Sequence, residues 1–309
     1  MQSVLIDTDP GTDDVLAIIM ALNSPDLDVV GITTVGGNAK LTHTTSTALR
    51  LLASLRRPDI PIAKGASSPL DGKFVYAYQY HGRDGLSIQL PTTNLKPRIE
   101  SAYDLIVSSA KQHGNNLVVI ALGPLTNIAQ AILKEPRISN WLKEIVIMGG
   151  AVNVGGNITP HSEFNIYNDP KAASIVFTSG VPIKLIGLDV TPQTYVLRKQ
   201  LPWVDSRSNS SQIASKILSQ WFEAHTNEDR YCLHDPLAVA ASIQPDILTY
   251  RQAEIRVDTN NQQLRGKTTA IYDIGSVKFA TRVNFIRSTE LILETLQIVP
   301  ECLVKYGSV

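Results

Sequence analysis

Four aspartates lie within eight residues near the start of the chain, in the segment Asp7-Thr8-Asp9-Pro10-Gly11-Thr12-Asp13-Asp14. The segment follows a short apolar run at residues 4–6, of the kind that forms a buried strand. One or two of these aspartates could cap a helix that begins near Val15. Four exceed what capping requires, and carboxylates crowded at a strand end must be partly protonated or neutralised by a cation.

The ligands on offer indicate which cation this would be. The segment has no cysteine cluster and no paired histidines, so ligation through oxygen alone favours a hard ion, Ca²⁺ or Mg²⁺. Calcium suits several carboxylates with a main-chain carbonyl, whereas magnesium relies more on water and phosphate. A further carboxylate, Asp235, stands in His234-Asp235-Pro236 at the start of a predicted helix. By itself Asp235 is most simply an N-cap, and it matters for the ion only if it reaches the same pocket.

Short β-branched runs alternate with amphipathic stretches along the chain. This pattern predicts an α/β fold, an open, mostly parallel, Rossmann-like sheet with helices on both faces. We expect strands at residues 4–6, 29–34, 117–121, 145–148 and 183–188. We expect helices at residues 15–22, 41–56, 101–113, 125–133, 170–177, 209–226 and 235–243. Alternation at residues 253–257, followed by Asn260-Asn261, predicts a hairpin near the C-terminus.

Glycine-rich and polar loops follow the predicted strands, at residues 7–14, 36–38, 123–127, 149–157 and 189–192. In an open parallel sheet these strand ends share one edge, where ligands bind. Any one of these loops is most simply an ordinary turn. Together they predict one pocket built from distant parts of the chain.

Composition bounds the class of protein. Of the 309 residues, 43% are hydrophobic and 18% are charged, which is typical of a globular protein, and one large domain is our first expectation. The formal net charge is zero, so neither nucleic acid nor a membrane surface is an expected partner. The start lacks a signal-peptide pattern, and no apolar run is long enough to span a bilayer, so we expect a cytoplasmic protein. Cys232 and Cys302 are too few for a disulfide framework.

In their order along nearly the whole chain, these motifs resemble the inosine–uridine-preferring nucleoside hydrolase family. The N-terminal segment is similar to the family signature DxDPGxDD, with Thr12 in place of the more usual aliphatic residue. Further similar blocks are residues 33–38, 81–86, 123–127, 148–165, 169–170, 187–191 and 234–236. The resemblance implies the nucleoside hydrolase fold, as a single domain over residues 1–309. It also implies an enzyme that hydrolyses the N-glycosidic bond of ribonucleosides.

Carried over position by position, the resemblance implies a calcium site and a substrate site. Calcium would be bound by the carboxylates of Asp9, Asp14 and Asp235 and by the backbone carbonyl of Leu122, with Asp7 supporting these ligands from behind. The ion would hold the attacking water and the 2′- and 3′-hydroxyls of ribose. Asp13 would be the general base, acting on an oxocarbenium-like transition state. The implied substrate-binding positions are Asn38, His81, Met148, Asn157, Glu163, Phe164, Asn165 and Tyr231.

The departing base needs stabilisation as well. The resemblance nominates His234 as the leaving-group acid, since an imidazole titrates near neutral pH. The alternative is that His234 only positions Asp235. Aromatic rings could stack on the base, with Tyr231 the best candidate, and core packing is the competing interpretation, which is stronger for Trp221. The other aromatic candidates are Tyr76, Tyr78, Tyr80 and Phe222.

Two other functions fit part of the sequence. A haloacid-dehalogenase-type phosphatase also places a DxD element after its first strand, but no good arrangement of its later lysine and acidic pair is found. A non-catalytic nucleoside- or ribose-binding protein would lose the base, whereas Asp13, Asn165 and His234 are all present. The family suggests a homodimer or homotetramer. Purine or pyrimidine preference stays open.

Overall fold

The computed structural model describes residues 1–82, 84–200, 203–204 and 208–300, so Arg83 and Cys302 lie outside the described residues. The strands are β1 (Gln2–Thr8), β2 (Leu27–Thr34), β3 (Ile62–Lys64), β4 (Arg98–Ser101), β5 (Leu117–Ala121), β6 (Glu144–Met148), β7 (Ile183–Ile186), β8 (Tyr195–Leu197), β9 (Trp203–Val204), β10 (Arg230–Cys232), β11 (Leu248–Val257), β12 (Thr268–Tyr272), β13 (Val277–Val283) and β14 (Val299–Pro300). The helices are α1 (Thr12–Asn23), α2 (Leu41–Ser54), α3 (Tyr78–His81), α4 (Ala102–His113), α5 (Thr126–Lys134), α6 (Phe164–Asn168), α7 (Pro170–Phe177), α8 (Asn209–Ala224), α9 (His234–Ile243) and α10 (Phe285–Thr295). Among the described helices, none has the length and apolar character needed to cross a membrane.

One large sheet organises the described residues. Its strands lie in the order β12-β11-β13-β7-β6-β5-β1-β2-β3-β4. Neighbours pair in parallel except around β11, which runs antiparallel to both β12 and β13. The prediction of a mostly parallel sheet is therefore confirmed. Strand β1 lies between β5 and β2, so the acidic segment leaves the sheet near its centre.

The core has two parts, one on each face of the sheet. Val4 and Ile6 of β1 pack on the face covered by α1, α2, α8, α9 and α10, while Leu5 packs on the face covered by α4, α5 and α7. This alternation is the two-residue period of a strand buried on both sides. Helices therefore cover both faces, as the sequence predicts.

Two elements differ from their predicted form. Helix α1 begins at Thr12 rather than Val15, so Asp13 and Asp14 stand in its first turn, where the helix dipole favours negative charge. The predicted hairpin pairs β11 with β12, but residues 258–267 join them and Asn260-Asn261 is not a two-residue turn. The Asp258 side chain accepts hydrogen bonds from the backbone N–H groups of Asn260 and Asn261, which shapes a wider loop.

A matched pair of substitutions tests which strand residues are part of the core. Ile120→Ala in β5 removes a fully buried side chain and should lower the free energy of unfolding by about 2–5 kcal/mol. Ile99→Ala in β4 makes the same change at a fully exposed position and should cost less than about 1 kcal/mol. Urea titration followed by circular dichroism measures both, and equal losses would contradict this placement of the core.

Candidate active site

Three carboxylates from two distant parts of the chain meet at the carboxyl edge of the sheet. Asp13 and Asp14 lie in the first turn of α1, and Asp235 lies in the first turn of α9. One carboxylate oxygen of each lies within 4.8 Å of those of the other two. They converge because α1 and α9 pack side by side. Asp235 therefore joins the pocket of the N-terminal aspartates.

Hydrogen bonds from two loops fix the carboxylate of Asp14. Its Oδ1 accepts from Oγ1 of Thr8. Its Oδ2 accepts from the backbone N–H of Gly11 at 3.0 Å and from Nδ2 of Asn38 at 2.9 Å. Gly11 follows β1 and Asn38 follows β2, so the loops after two neighbouring strands hold the carboxylate of Asp14 in place.

Asp9 lies beside the three carboxylates, enclosed between two glycines. Its Oδ2 accepts from the backbone N–H of Asn38 at 2.6 Å, and its Oδ1 is buried without a hydrogen-bond partner among the described residues. A Cβ atom on Gly37 would lie 2.1 Å from Oδ2, and one on Gly123 would lie 2.5 Å from Oδ1. Any larger residue at these two positions would collide with the carboxylate of Asp9. The two loops therefore require glycine because of this close approach and not only because they turn.

Burial and mutual repulsion disfavour the ionised form of these side chains. Burial, aided by the charge of Asp14, raises the pKa of Asp13 to about 7. Burial and then the charges of Asp13 and Asp14 raise the pKa of Asp235 well above its usual value. Burial and the charge of Asp14 do the same for Asp9. A cation among them would offset this penalty, because an opposite charge favours the ionised form.

The residues present fit a hard divalent cation. The Oδ1 atom of Asp9 is buried and has no partner in the described part of the chain, and such an atom is costly unless something pairs with it. Leu122 lines the same cavity, and its backbone carbonyl is a neutral oxygen that could serve as a ligand. It accepts a hydrogen bond from Nδ2 of Asn165 at 2.7 Å and keeps a second lone pair. Carboxylate and carbonyl oxygens are the ligands that such ions prefer.

A cavity of about 400 Å³ opens onto Asp13 and Asp235, and its size suits a small organic molecule. The structure brings the sequence-derived substrate positions together in its wall: Asn38, His81, Met148, Asn157, Glu163, Phe164, Asn165 and Tyr231. Asp7, Asp9 and Asp14 lie behind this wall and are fully buried.

Glu163 anchors the part of the wall that α6 provides. Its Oε1 accepts from the backbone N–H of Asn165 at 2.8 Å, and its Oε2 accepts from those of Ile166 and Gly150 at 3.0 Å each. The carboxylate thus caps α6 and ties it to the loop after β6. Asn157 accepts from the backbone N–H of Phe164 at 2.9 Å, which fixes the start of the same helix.

Two histidines line the cavity, and Nδ1 of each forms a hydrogen bond within the protein. Nδ1 of His81 accepts from the backbone N–H of Thr12 at 3.0 Å, so the neutral ring carries its proton on Nε2. Nδ1 of His234 lies 2.7 Å from Oγ1 of Thr191. Burial lowers the pKa of each histidine to about 4. His234 is therefore neutral at pH 7, which differs from the near-neutral titration expected of a free imidazole.

Stacked rings form another part of the wall. Trp221 stacks on His225, with ring centroids 4.3 Å apart, and meets the edge of Tyr231 at 4.8 Å. Tyr80 lies parallel to His225 at 6.3 Å. Trp221 therefore contributes to the cavity as well as to packing. Of the other aromatic candidates, Phe222 is a core residue, and neither Tyr76 nor Tyr78 is part of this wall.

Several lining residues belong to no sequence motif. His225 is the most prominent, and its four-residue spacing from Trp221 is the one signal that places it on the same helical face. Gln79, Glu228 and Arg230 also line the cavity, and nothing in their local sequence marks them.

Comparison with known proteins shows the family to which the chain belongs. The family model for inosine-uridine preferring nucleoside hydrolases matches residues 4–290. The probable uridine nucleosidase 2 of Oryza sativa subsp. japonica is 40% identical over 266 residues, which are 84% of this chain and 79% of that protein. The pyrimidine-specific ribonucleoside hydrolase RihA of Salmonella paratyphi C is 37% identical over 275 residues, which are 87% of this chain and 88% of that protein.

A solved structure shares the fold. The purine-preferring ribonucleoside hydrolase from Gardnerella vaginalis superposes with a TM-score of 0.90 at 32% sequence identity, over 96% of this chain and 98% of that one. Sequence and structure therefore agree on the relationship. The chain belongs to the inosine-uridine preferring nucleoside hydrolase family, and it is a hydrolase of the N-glycosidic bond of ribonucleosides.

Proposed function

We propose that this nucleoside hydrolase requires calcium and uses Asp13 as the general base that activates water. The observation that carries the proposal is the approach of the Asp13, Asp14 and Asp235 carboxylates to within 4.8 Å beside a cavity of nucleoside size. Uridine is the substrate we expect first, because similar proteins are named uridine nucleosidase and pyrimidine-specific ribonucleoside hydrolase. Ribose and the free base would be the products.

The ligand set we propose is Asp9, Asp14 and Asp235 through carboxylates and Leu122 through its carbonyl. Two observations support this assignment. Oδ1 of Asp9 has no partner among the described residues, and a cation would pair with it. The pKa values of Asp9 and Asp235 are raised, and a nearby positive charge would lower them. A calcium ion held by these residues would supply the positive charge that makes a water molecule more acidic and that attracts the hydroxyl oxygens of ribose. Asp7, behind the ligands, supports them.

Asp13 is placed to take the proton of the water. It lines the cavity, and burial together with the charge of Asp14 raises its pKa to about 7. A base whose pKa lies near the working pH accepts a proton most effectively. Attack on the anomeric carbon breaks the C–N bond through an oxocarbenium-like transition state. Water attacks directly, so no covalent enzyme intermediate is needed.

The walls of the cavity would orient ribose. Glu163 is held by three backbone N–H groups, so its position is fixed before substrate arrives. Asn165 is tied to Leu122 and Asn38 is tied to Asp14, so both amides are held close to the carboxylates. Such preorganised polar groups reduce the entropy lost on reaching the transition state. Asn157 and Met148 would complete the ribose contacts.

Stabilisation of the departing base falls to His234 and the stacked rings. With the pKa of His234 lowered to about 4, we propose that it acts as a neutral hydrogen-bond donor through Nε2 when Thr191 donates to Nδ1. Tyr231 and Trp221 would contact the base face. The homodimer or homotetramer and the cytoplasmic location stay predictions of the sequence.

Removal of calcium tests the cofactor. Protein treated with a chelator and dialysed should lose most of its ribose release from uridine, and added Ca²⁺ should restore it. The same assay on inosine, adenosine, guanosine, uridine, cytidine and xanthosine would show which nucleoside is hydrolysed fastest. Metal-stripped protein that works at the full rate would refute the proposed cofactor.

Replacement of the base tests the catalytic role. Asp13→Ala should lower kcat for uridine on the order of 10²- to 10⁴-fold, because proton removal from water is lost. Calcium binding measured by calorimetry should persist, since three other aspartates and a carbonyl are retained. Asp28→Ala, at an exposed site in β2, is the matched control and should leave kcat unchanged. Unchanged turnover in Asp13→Ala would remove Asp13 from the mechanism.

The raised carboxyl pKa values predict how the metal-free protein responds to pH. Asp7 and Asp13 have folded pKa values of about 7 against ordinary values of 3.8, so the folded state holds more protons and stability falls as pH rises toward and past 7. The lowered pKa values of His81 and His234 oppose this trend only below their ordinary value of 6.5.

Between about pH 6.5 and pH 8, the Tm of metal-free protein should therefore decrease, and saturating Ca²⁺ should remove that decrease. Scanning calorimetry at several pH values, with and without calcium, measures both slopes. A Tm that rises across this interval without metal would contradict the raised pKa values of the buried carboxylates.

A further inference from the structure

The side chain of Asn127 lies behind the acidic loop, where both of its N–H donors and its carbonyl oxygen form hydrogen bonds. Nδ2 donates to Oδ1 of Asp7 at 2.7 Å and to the backbone carbonyl of Thr34 at 3.1 Å. Oδ1 accepts from the backbone N–H of Ala66 at 2.8 Å. The residue is fully buried. These bonds run to three separate segments of the chain.

Those segments end three adjacent strands. In the sheet order, β5 is followed by β1, β2 and β3. Asn127 stands in the first turn of α5, just after β5, and it reaches Asp7 near the end of β1, Thr34 at the end of β2 and Ala66 just after β3. A single amide therefore links the carboxyl ends of four neighbouring strands.

Each of the linked strand ends leads into a part of the site. Asp7 precedes Asp9, and Thr34 leads to the loop whose Asn38 holds Asp9 and Asp14. Ala66 begins the stretch that continues to His81 in the cavity wall. The amide thus joins the starts of these loops by hydrogen bonds.

The backbone after β3 also packs closely on the amide of Asn127. A Cβ atom on Gly65 would lie 2.1 Å from Oδ1 of Asn127, so the backbone after β3 packs directly on the amide. An asparagine near the start of a helix can bond to the backbone of its own helix. Asn127 instead directs its side-chain bonds to other segments, which indicates a role outside α5.

We propose that Asn127 is a positioning residue that sets the calcium-site geometry by clamping the ends of β1, β2 and β3 at fixed spacing. The inference rests on the proposed calcium dependence. Asn127 acts through Asp7 and the two loops and touches neither substrate nor metal. Residues that support metal ligands in this way typically change metal affinity 10- to 100-fold when replaced.

Asn127→Asp is the direct test, because it keeps the size and the acceptor to Ala66 but replaces both N–H donors with an acceptor. We expect the calcium dissociation constant, measured by calorimetry on folded protein, to rise on the order of 10- to 100-fold. The increase in Tm caused by calcium should shrink accordingly. The value of kcat at saturating calcium should fall less than the calcium affinity.

Asn168→Asp is the matched control. Asn168 is also buried, its Oδ1 accepts from the backbone N–H of Val75 at 2.7 Å, and its Nδ2 donates to no partner among the described residues. The exchange therefore introduces a buried carboxylate without removing a donated bond. Asn168→Asp should lower the Tm with and without calcium alike, and its calcium affinity should stay within twofold of the parent.

Asn127→Ala gives the same readouts without a new charge, should Asn127→Asp fail to fold. Calcium affinity within twofold of the parent in a folded Asn127 variant would overturn the inference, as would an equal loss of affinity in Asn168→Asp. A parent protein that binds calcium but hydrolyses no nucleoside would overturn the proposed function while the affinity ratio still decides the role of Asn127. A parent that binds no calcium would overturn both.

Discussion

The site depends on a group of carboxylates that burial has deprived of water. Asp9, Asp13, Asp14 and Asp235 are held close together at the edge of a sheet, where their charges repel and their pKa values are raised. Such an arrangement is costly unless a positive charge is shared among them. Hydrogen bonds from the surrounding loops hold these side chains in place although burial removes most of their contact with water.

The parallel sheet makes this arrangement possible. Strand β1 is central, so its acidic end is surrounded by loops from β2 and β5, and α9 brings Asp235 alongside α1. Helix dipoles at the starts of α1 and α9 offset part of the repulsion. Glycines at 37 and 123 let the neighbouring loops close around Asp9. The cavity then forms on the open side, where Asp13 remains available for chemistry.

Much of this could be read from the sequence. Five central strands, the C-terminal hairpin and seven helices followed from period and turn signals, whereas β3, β4, β13 and α10 were not predicted. The acidic segment marked the site, because no lysine or arginine lies near it in the sequence. Two features could not be read. The lowered pKa of His234 depends on burial, and His225 reaches the cavity only because α8 packs as it does. Both are consequences of tertiary contact, which local patterns do not encode. The early start of α1 is different, because it rests on a local bond from the backbone N–H of Gly11 to the Asp14 carboxylate that the sequence prediction missed.

The central claim is that α1 and α9 present their carboxylates to one shared ion. Anomalous diffraction from crystals grown with calcium tests it most directly. The account predicts a single strong peak about 2.3–2.6 Å from carboxylate oxygens of both Asp14 and Asp235. A peak bound by only one of these segments, or none at the carboxyl edge of β1, would contradict it.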